Sequence, residues 1–327
     1  MPMYHLPIFD IKTPAEFELQ ALNVYRFQYH NNEVYHTYCG YLGKDPETVK
    51  RVADIPFLPI GFFKSKRISS GNRDPEVIFS SSGTTGSTTS KHYVASLAVY
   101  QKSYRKAFEQ FYGKIEEYCI LALLPSYLER KGSSLIYMVD DLIQKSGHQD
   151  SGFYLDDLSS LYEKIRQLDS KGQKTLLIGV SFALLDFVEH FPMKLTNTVI
   201  METGGMKGRR KELIRAELHQ QLSKGFGVPT IHSEYGMTEL LSQAYSSGNG
   251  IFKTPPWMKI LIRDTEDPLS LQKAGKTGGL NVIDLANIHS CSFIATQDLG
   301  KKHQDGSFEI LGRFDNSDIR GCNLMVI

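Results

Sequence analysis

The chain is 327 residues long and carries 37 Lys and Arg against 36 Asp and Glu, a formal charge of +1. That length allows one large domain or two smaller ones around a substantial buried core. The near-neutral balance excludes a global electrostatic attraction to nucleic acid or to an anionic membrane, so any phosphate binding has to be local. The N-terminal stretch MPMYHLPIFDIK has no basic head, apolar run or small-residue cleavage site, and no segment nears ~18 consecutive apolar residues, which reads as a soluble, cytoplasmic protein. Cys39, Cys119, Cys291 and Cys322 lack CxxC or CxxxC spacing and the ten histidines are dispersed, a pattern of reduced thiols rather than disulfides or a zinc site.

In chain order, Thr13-Pro14-Ala15-Glu16 is a capping box that starts a helix bearing Phe17, Ala21 and Val24. Residues 55–68, with prolines at 56 and 59, read as an extended connector over the core. A strand is expected at 77–80, a helix at 96–111, a buried strand at 118–124 and helices at 133–145 and 158–171. Then follow a strand at 175–180, a helix at 182–190, a strand at 197–202, an amphipathic helix at 209–224 and a strand at 228–233. This alternation predicts an α/β fold with a largely parallel sheet flanked by helices. From residue 251 the helical signal fades, and KILIRD, GGLNVIDL, CSFIATQDLG and GSFEILG read as short strands. The expected organisation is therefore an α/β core over 1–250 and a smaller β-rich subdomain over 251–327.

Three segments carry candidate chemistry. Directly after the strand ending at Ser80, the run SSSGTTGSTTSK places Gly83 and Gly86 among Ser and Thr ahead of Lys91. Such a loop offers backbone N–H groups and hydroxyls to phosphate oxygens, and glycine permits close approach; the alternative is a flexible Ser/Thr-rich surface loop. It does not meet the GxxxxGK[ST] spacing of the familiar P-loop. Next, Glu234-Tyr235-Gly236-Met237-Thr238-Glu239 follows an apolar strand, where a Tyr can stack on a purine, a Thr can bond a phosphate and a Glu can hold Mg²⁺, or the segment can be an ordinary strand-exit turn. Last, Thr296-Gln297-Asp298-Leu299-Gly300 and Gly312-Arg313-Phe314-Asp315 flank a turn at Asp305-Gly306. There Asp298 suits ribose hydroxyls and Arg313 suits a nucleotide or a hinge, whereas singly such residues cap turns or form surface pairs.

In this order the segments resemble the acyl-adenylate-forming superfamily of acyl-CoA synthetases, luciferases and peptide-synthetase adenylation domains. The resemblance implies ATP and Mg²⁺ as cofactors. It assigns Ser81, Ser82, Gly83, Thr84, Thr85, Gly86 and Lys91 to the phosphate loop, and Gly204 and Gly205 of Thr203-Gly204-Gly205 to the adenine side. Tyr235 and Gly236 would meet adenine, Thr238 phosphate, Glu239 the Mg²⁺ and Asp298 the ribose, while Arg313 would help close the site. Within the superfamily, IPFLPIGFFKSK, LLPSYLERKGSSLIYMV and METGGMKGRRKEL look most like the acyl-protein synthetases (LuxE-type), beside the phenylacetate-CoA ligases. Lys91 follows Gly86 by five positions, two more than in the family pattern, with no preceding Pro.

Most superfamily members continue past the hinge motif into a lid of ~100 residues. This chain ends fourteen residues after Arg313, so the expectation is the large adenylate-forming N-terminal domain with its C-terminal lid absent. A cation near the reacting α-phosphate lowers the barrier, and Lys207, Lys64, Lys91 or a partner protein are the candidates for it, Lys64 also reading as a solvated surface lysine. The acyl-protein synthetase resemblance further implies a cysteine close to the C-terminus as acyl acceptor. Here that is Cys322, with Arg320 nearby, which reads equally as a small buried hydrophobe of a final strand. Residues 179–185 and Met201 are candidates for an apolar acyl pocket, although helix and strand residues of this kind are core more often than pocket. The first expected function is activation of a carboxylic, fatty-type acid and its transfer to a protein thiol, on Cys322 or on an acyl-carrier, reductase or thioesterase partner. The alternatives are an acyl-CoA or aryl-CoA ligase using free CoA and a non-catalytic nucleotide- or acyl-binding module.

Overall fold

The computed structural model describes residues 7–81, 88–125, 132–155, 157–204 and 213–314. Helix α1 (Pro14–Asn31) begins as the capping box predicts: Glu16 N–H donates to Thr13 Oγ1 at 3.2 Å and the Glu16 carboxylate accepts from Thr13 N–H at 3.0 Å. A second helix, α2 (Glu33–Tyr41), was not foreseen; the Asn32 carboxamide between them caps it by accepting from Tyr35 N–H at 2.9 Å. The connector at 55–68 is more than an extended strap. It contains strand β1 (Leu58–Pro59), which pairs in parallel with Ile294 and Ala295, and one helical turn, α3 (Phe62–Ser65). Pro59 is tolerated because Ile60 makes the next ladder bond, donating to the Ala295 carbonyl at 2.9 Å.

Strands β2 (Val77–Ser80) and β3 (Lys91–Val94) form a separate antiparallel pair, with Ser80 opposite Lys91. β2 and β3 therefore bracket the Ser/Thr segment, whereas the sequence suggested a strand only before it. Beyond it lie α4 (Leu97–Tyr112), β4 (Cys119–Leu123), α5 (Ser134–Ser146), β5 (Gly152–Phe153), α6 (Leu158–Ser170), β6 (Thr175–Val180), α7 (Ser181–His190), β7 (Thr198–Thr203), α8 (Arg215–Phe226) and β8 (His232–Tyr235). Every residue of β4 and β6 is buried, as expected of parallel strands covered on both faces. Two boundaries moved. The described part of α8 starts at Arg215, and β8 occupies His232–Tyr235 rather than 228–233, because its ladder with β7 begins at Met201 opposite His232. The polar run His232-Ser233-Glu234-Tyr235 is a poor strand signal by composition, so tertiary pairing decides it.

The chain then continues as β9 (Ala244–Ser246), β10 (Ile251–Lys253), β11 (Met258–Arg263), β12 (Thr277–Asp284), β13 (Phe293–Lys302) and β14 (Phe308–Arg313). Hydrogen bonding joins them to the parallel strands in a single sheet of order β11-β12-β13-β14-β10-β9-β8-β7-β6-β4-β5, with β1 on β13. The expected boundary at residue 250 falls in the turn between β9 and β10, where Asn249 adopts φ 56°. The turn at Asp305-Gly306 closes β13 onto β14; Gly306 takes φ 90° and Ser307 N–H donates to Asp305 Oδ1 at 3.0 Å. Among the described residues Cys39, Cys119 and Cys291 are free and buried, and no helix is long and apolar enough to cross a membrane.

Candidate active site

The sequence segments singled out above meet near the carboxyl ends of β7 and β8, where parallel α/β sheets place their ligands. The chain leaves β8 at Tyr235, whose ring is 9% exposed and packs edge-on against Phe252 and Phe308. Its hydroxyl donates to Asp298 Oδ2 at 2.7 Å. Asp298 lies on β13 opposite Arg313 of β14, and Arg313 Nε donates to Asp298 Oδ1 at 3.1 Å. Each carboxylate oxygen therefore has one protein donor and a lone pair to spare. The Arg313 side chain is 78% exposed, so this pair leaves the guanidinium accessible while orienting it.

Glu239, four residues past Tyr235, is 5% exposed. Burial pushes its carboxyl up from the ordinary range, while the Ser90 hydroxyl and the charges of Arg313 and Lys64 favour the ionised form. Its backbone is held from a distance: the Asn287 carboxamide donates to the Glu239 carbonyl at 2.7 Å, and Gln28 of α1 in turn donates to the Asn287 and Ile288 carbonyls at 2.9 and 3.0 Å. Asp284, at the end of β12, accepts from Leu241 N–H, Ser242 N–H and Ser242 Oγ at 2.8, 2.9 and 2.6 Å. It pins the turn that follows Glu239.

At the hairpin, Ser81 N–H donates to the Ser90 carbonyl at 3.0 Å and Ser90 N–H to Ser81 Oγ at 2.9 Å, closing the neck of the loop. Lys91 is exposed at that neck and Gly204 is exposed at the end of β7, with φ 70°. Ser82, Gly83, Thr84, Thr85, Gly86, Gly205, Lys207 and Cys322 lie outside the described residues. Residues 179–185 and Met201 are buried within β6, α7 and β7. Thr238 is half-buried, and its carbonyl accepts from His92, a residue to which no sequence motif pointed. Asp284 had a signal, a lone acid in the apolar run LNVIDL; Gln28 and Asn287 had none, being 259 residues apart.

Glu234 is the second buried carboxyl of the segment. Thr203 Oγ1 donates to its Oε2 at 2.5 Å, and its Oε1 lies against Gly236, where a Cβ would sit 2.4 Å away, so any larger residue there makes the Glu234 carboxylate shift. Burial, with the nearby Glu202 charge, pushes Glu234 up to about 7. Glu202 is itself held low despite burial, because His219, Arg215 and Ser233 favour its ionised form. A carboxyl raised in the folded state stabilises the fold below its unfolded pKa, and that contribution is lost as pH climbs toward 7. The expected result is that Glu234→Gln exceeds wild type in stability by ~2 kcal/mol at pH 8 and hardly at all at pH 5, measured by urea unfolding. Equal differences at both pH values would contradict the buried neutral carboxyl.

Taken together, the buried carboxyls of Glu239 and Asp298, the Ser81–Ser90 neck and the exposed Arg313 lie together, an arrangement suited to a nucleotide triphosphate. A family model for LuxE acyl-protein synthetases matches residues 12–125. The matched region runs from α1 through the connector and the Ser/Thr hairpin to just past β4, so Tyr235, Glu239, Asp298 and Arg313 lie beyond it. The long-chain-fatty-acid–luciferin-component ligase of Vibrio harveyi is 22% identical over 354 residues, covering 95% of this chain and 90% of that protein. ATP-bound MatB from Rhodopseudomonas palustris is 18% identical with a TM-score of 0.52, over 72% of this chain and 47% of MatB. An open 2-hydroxyisobutyryl-CoA ligase bound to 2-HIB-AMP and CoA is 9% identical with a TM-score of 0.63, over 92% of this chain and 70% of that one. This chain thus resembles the acyl-protein synthetases in sequence and has the fold of the adenylate-forming enzymes, spanning about half the length of the MatB structures.

Proposed function

We propose that the protein activates a carboxylic acid, a fatty acid in the first instance, as its acyl-adenylate and passes the acyl group to a protein thiol. The observation that carries this reading is the convergence of Tyr235, Asp298 and Arg313 in one hydrogen-bonded unit whose Arg charge reaches Glu239. In the first step a carboxylate oxygen bonds to the α-phosphorus of ATP and the bridging bond to the β-phosphate breaks, releasing pyrophosphate. Charge accumulates on the α-phosphoryl oxygens, so pre-oriented donors and cations lower the barrier.

Asp298 bonds the ribose hydroxyls through its spare lone pairs, and Tyr235 lies beside the base. The Ser81–Gly86 loop and Thr238 bond phosphate oxygens. Glu239 suits Mg²⁺ as one hard oxygen ligand beside the phosphates, the manner in which Mg²⁺ is usually bound to nucleotides. Arg313, with Lys64, Lys91 or Lys207, supplies positive charge. In the second step a thiolate attacks the acyl carbonyl and AMP leaves. Cys322 or a carrier, reductase or thioesterase partner supplies that thiol; free CoA is the second reading, favoured by the fold shared with a CoA ligase over 92% of the chain.

One experiment tests both steps. With a series of saturated fatty acids, ATP–pyrophosphate exchange should appear, and incubation with labelled acid and ATP should leave a hydroxylamine-labile label on the chain that Cys322→Ser loses. Exchange with label retained in that variant moves the thioester elsewhere. Exchange without label, but with acyl-CoA formed on adding CoA, selects the ligase. No exchange with any acid leaves a non-catalytic binding module.

A further inference from the structure

Between Gly279 and Asn281 the ladder that joins β12 to β13 breaks step. Gly279 faces Leu299 and Asn281 faces Ala295, so Leu280 alone stands opposite Thr296, Gln297 and Asp298. A bulge of this kind bends its strand and re-aims the side chains on it, and here the residue at its end is Asp298. It also takes backbone groups out of the ladder, and a buried carbonyl left without a donor is costly.

The donors come from two strands away. Arg263, the last residue of β11, is 9% exposed; its Nη1 donates to the Leu280 carbonyl at 2.8 Å and to Asn281 Oδ1 at 3.0 Å, and its Nη2 donates to the Thr296 carbonyl at 2.5 Å. The side chain crosses β12 at Gly279, where a Cβ would lie 2.3 Å from the Arg263 Cζ. Thr296 Oγ1 donates to the same Leu280 carbonyl at 3.0 Å and accepts from Asp298 N–H at 3.1 Å. Thr296 is therefore held at its carbonyl and at its hydroxyl, and the Asp298 backbone hangs from that hydroxyl. Phe314, just past β14, lies over the guanidinium with its ring centroid at 5.4 Å, and its N–H donates to the Gln297 carbonyl at 2.8 Å. Burial pushes Arg263 down from its ordinary pKa, and the Asp298 charge works against that shift. An apolar side chain would fill the position without that cost of desolvation, but only a planar fork meets carbonyls of two neighbouring strands at once.

We infer that Arg263 is a positioning residue for ribose recognition: its guanidinium, seated in the slot that Gly279 leaves, fixes the bulge that presents Asp298. The inference rests on the adenylation reading, in which Asp298 bonds the ribose hydroxyls. Without the fork the bulge shifts and Asp298 loses its aim at two hydroxyls, whereas the turn around Glu239 is held by Asn287 and Asp284 and keeps its place. The loss falls on nucleotide affinity and on the choice between ribo- and deoxyribonucleotide, and the chemical step is spared.

The test compares ATP with 2′-deoxy-ATP in ATP–pyrophosphate exchange by the full chain. Arg263→Met, which keeps an unbranched stem and removes the donors, should raise the KM for ATP about tenfold, leave kcat within about twofold, and cut the preference for ATP over 2′-deoxy-ATP by about threefold or more. Asp298→Asn already weakens that preference, so adding Arg263→Met to it should lower the preference little further. An arginine that served stability alone would change the yield of folded enzyme or its melting temperature and leave the preference of the folded enzyme as it is. If Arg263→Met fails to fold, Arg263→Lys takes its place, with a smaller loss of preference in the same direction; Gly279→Ala, which fills the seat of the fork, should reproduce that loss with Arg263 present. Folded variants with the wild-type preference overturn the inference and leave adenylation standing. Wild-type exchange that does not distinguish the two nucleotides overturns it together with the ribose role of Asp298. No exchange by wild type with any acid overturns both the inference and the adenylation reading.

Discussion

Glu239→Gln should lower Mg²⁺-dependent ATP–pyrophosphate exchange by about 10²–10³-fold while leaving the melting temperature unchanged or higher. The two effects have opposite signs for one reason. Glu239 is nearly fully buried, and burial disfavours its charge in the free protein. The neutral isostere relieves that cost and keeps the Ser90 contact within reach. It cannot provide the anionic oxygen that Mg²⁺ prefers, so the loss falls on chemistry alone. A variant that is both unstable and inactive would point instead to a structural role, and an unaffected rate would remove this segment from the mechanism. Rates should be taken at saturating and sub-saturating Mg²⁺, since a lost metal ligand is partly rescued by excess metal.

Asp298→Ala should raise the KM for ATP about 10- to 100-fold and cost ~2–3 kcal/mol of stability in urea unfolding. Both follow from its position between two donors. Truncation leaves the buried Tyr235 hydroxyl without the acceptor it has at 2.7 Å and frees the Arg313 guanidinium. Asp298→Asn separates the contributions. Its carbonyl can still accept from Tyr235, so stability should largely return, yet an amide offers fewer acceptor sites than a carboxylate and cannot serve both ribose hydroxyls as well. The discrimination between ATP and 2′-deoxy-ATP should therefore shrink in Asn even where folding is normal. Undiminished discrimination would take Asp298 away from the ribose.

Much of the fold was legible because its helices and parallel strands carry strong local signals. The capping box at Thr13 and Glu16 specifies where α1 begins, and the uniformly apolar runs of β4 and β6 announce strands covered on both sides. The segments 80–91, 234–239, 296–300 and 312–315 were legible by residue type and order. Elements that depend on a partner were not. β3 is a strand because β2 lies beside it, β1 because β13 offers a free edge, and β8 because β7 fixes its ladder against its own polar composition.

The sequence by itself determined the fold class, the capped start of α1, the run of parallel strands and the chemical types of the candidate site, since each rests on local propensity or on residue identity. Only the tertiary structure decided which groups share that site and in what state. Pairing of β13 with β14 puts Arg313 on Asp298, burial raises Glu239 and Glu234, and His92, Asp284, Asn287 and Gln28 hold the segment around Thr238 and Glu239 from far along the chain. The reason is physical: hydrogen-bond partners and desolvation are properties of packing between distant segments, and neither periodicity nor spacing within one segment contains them.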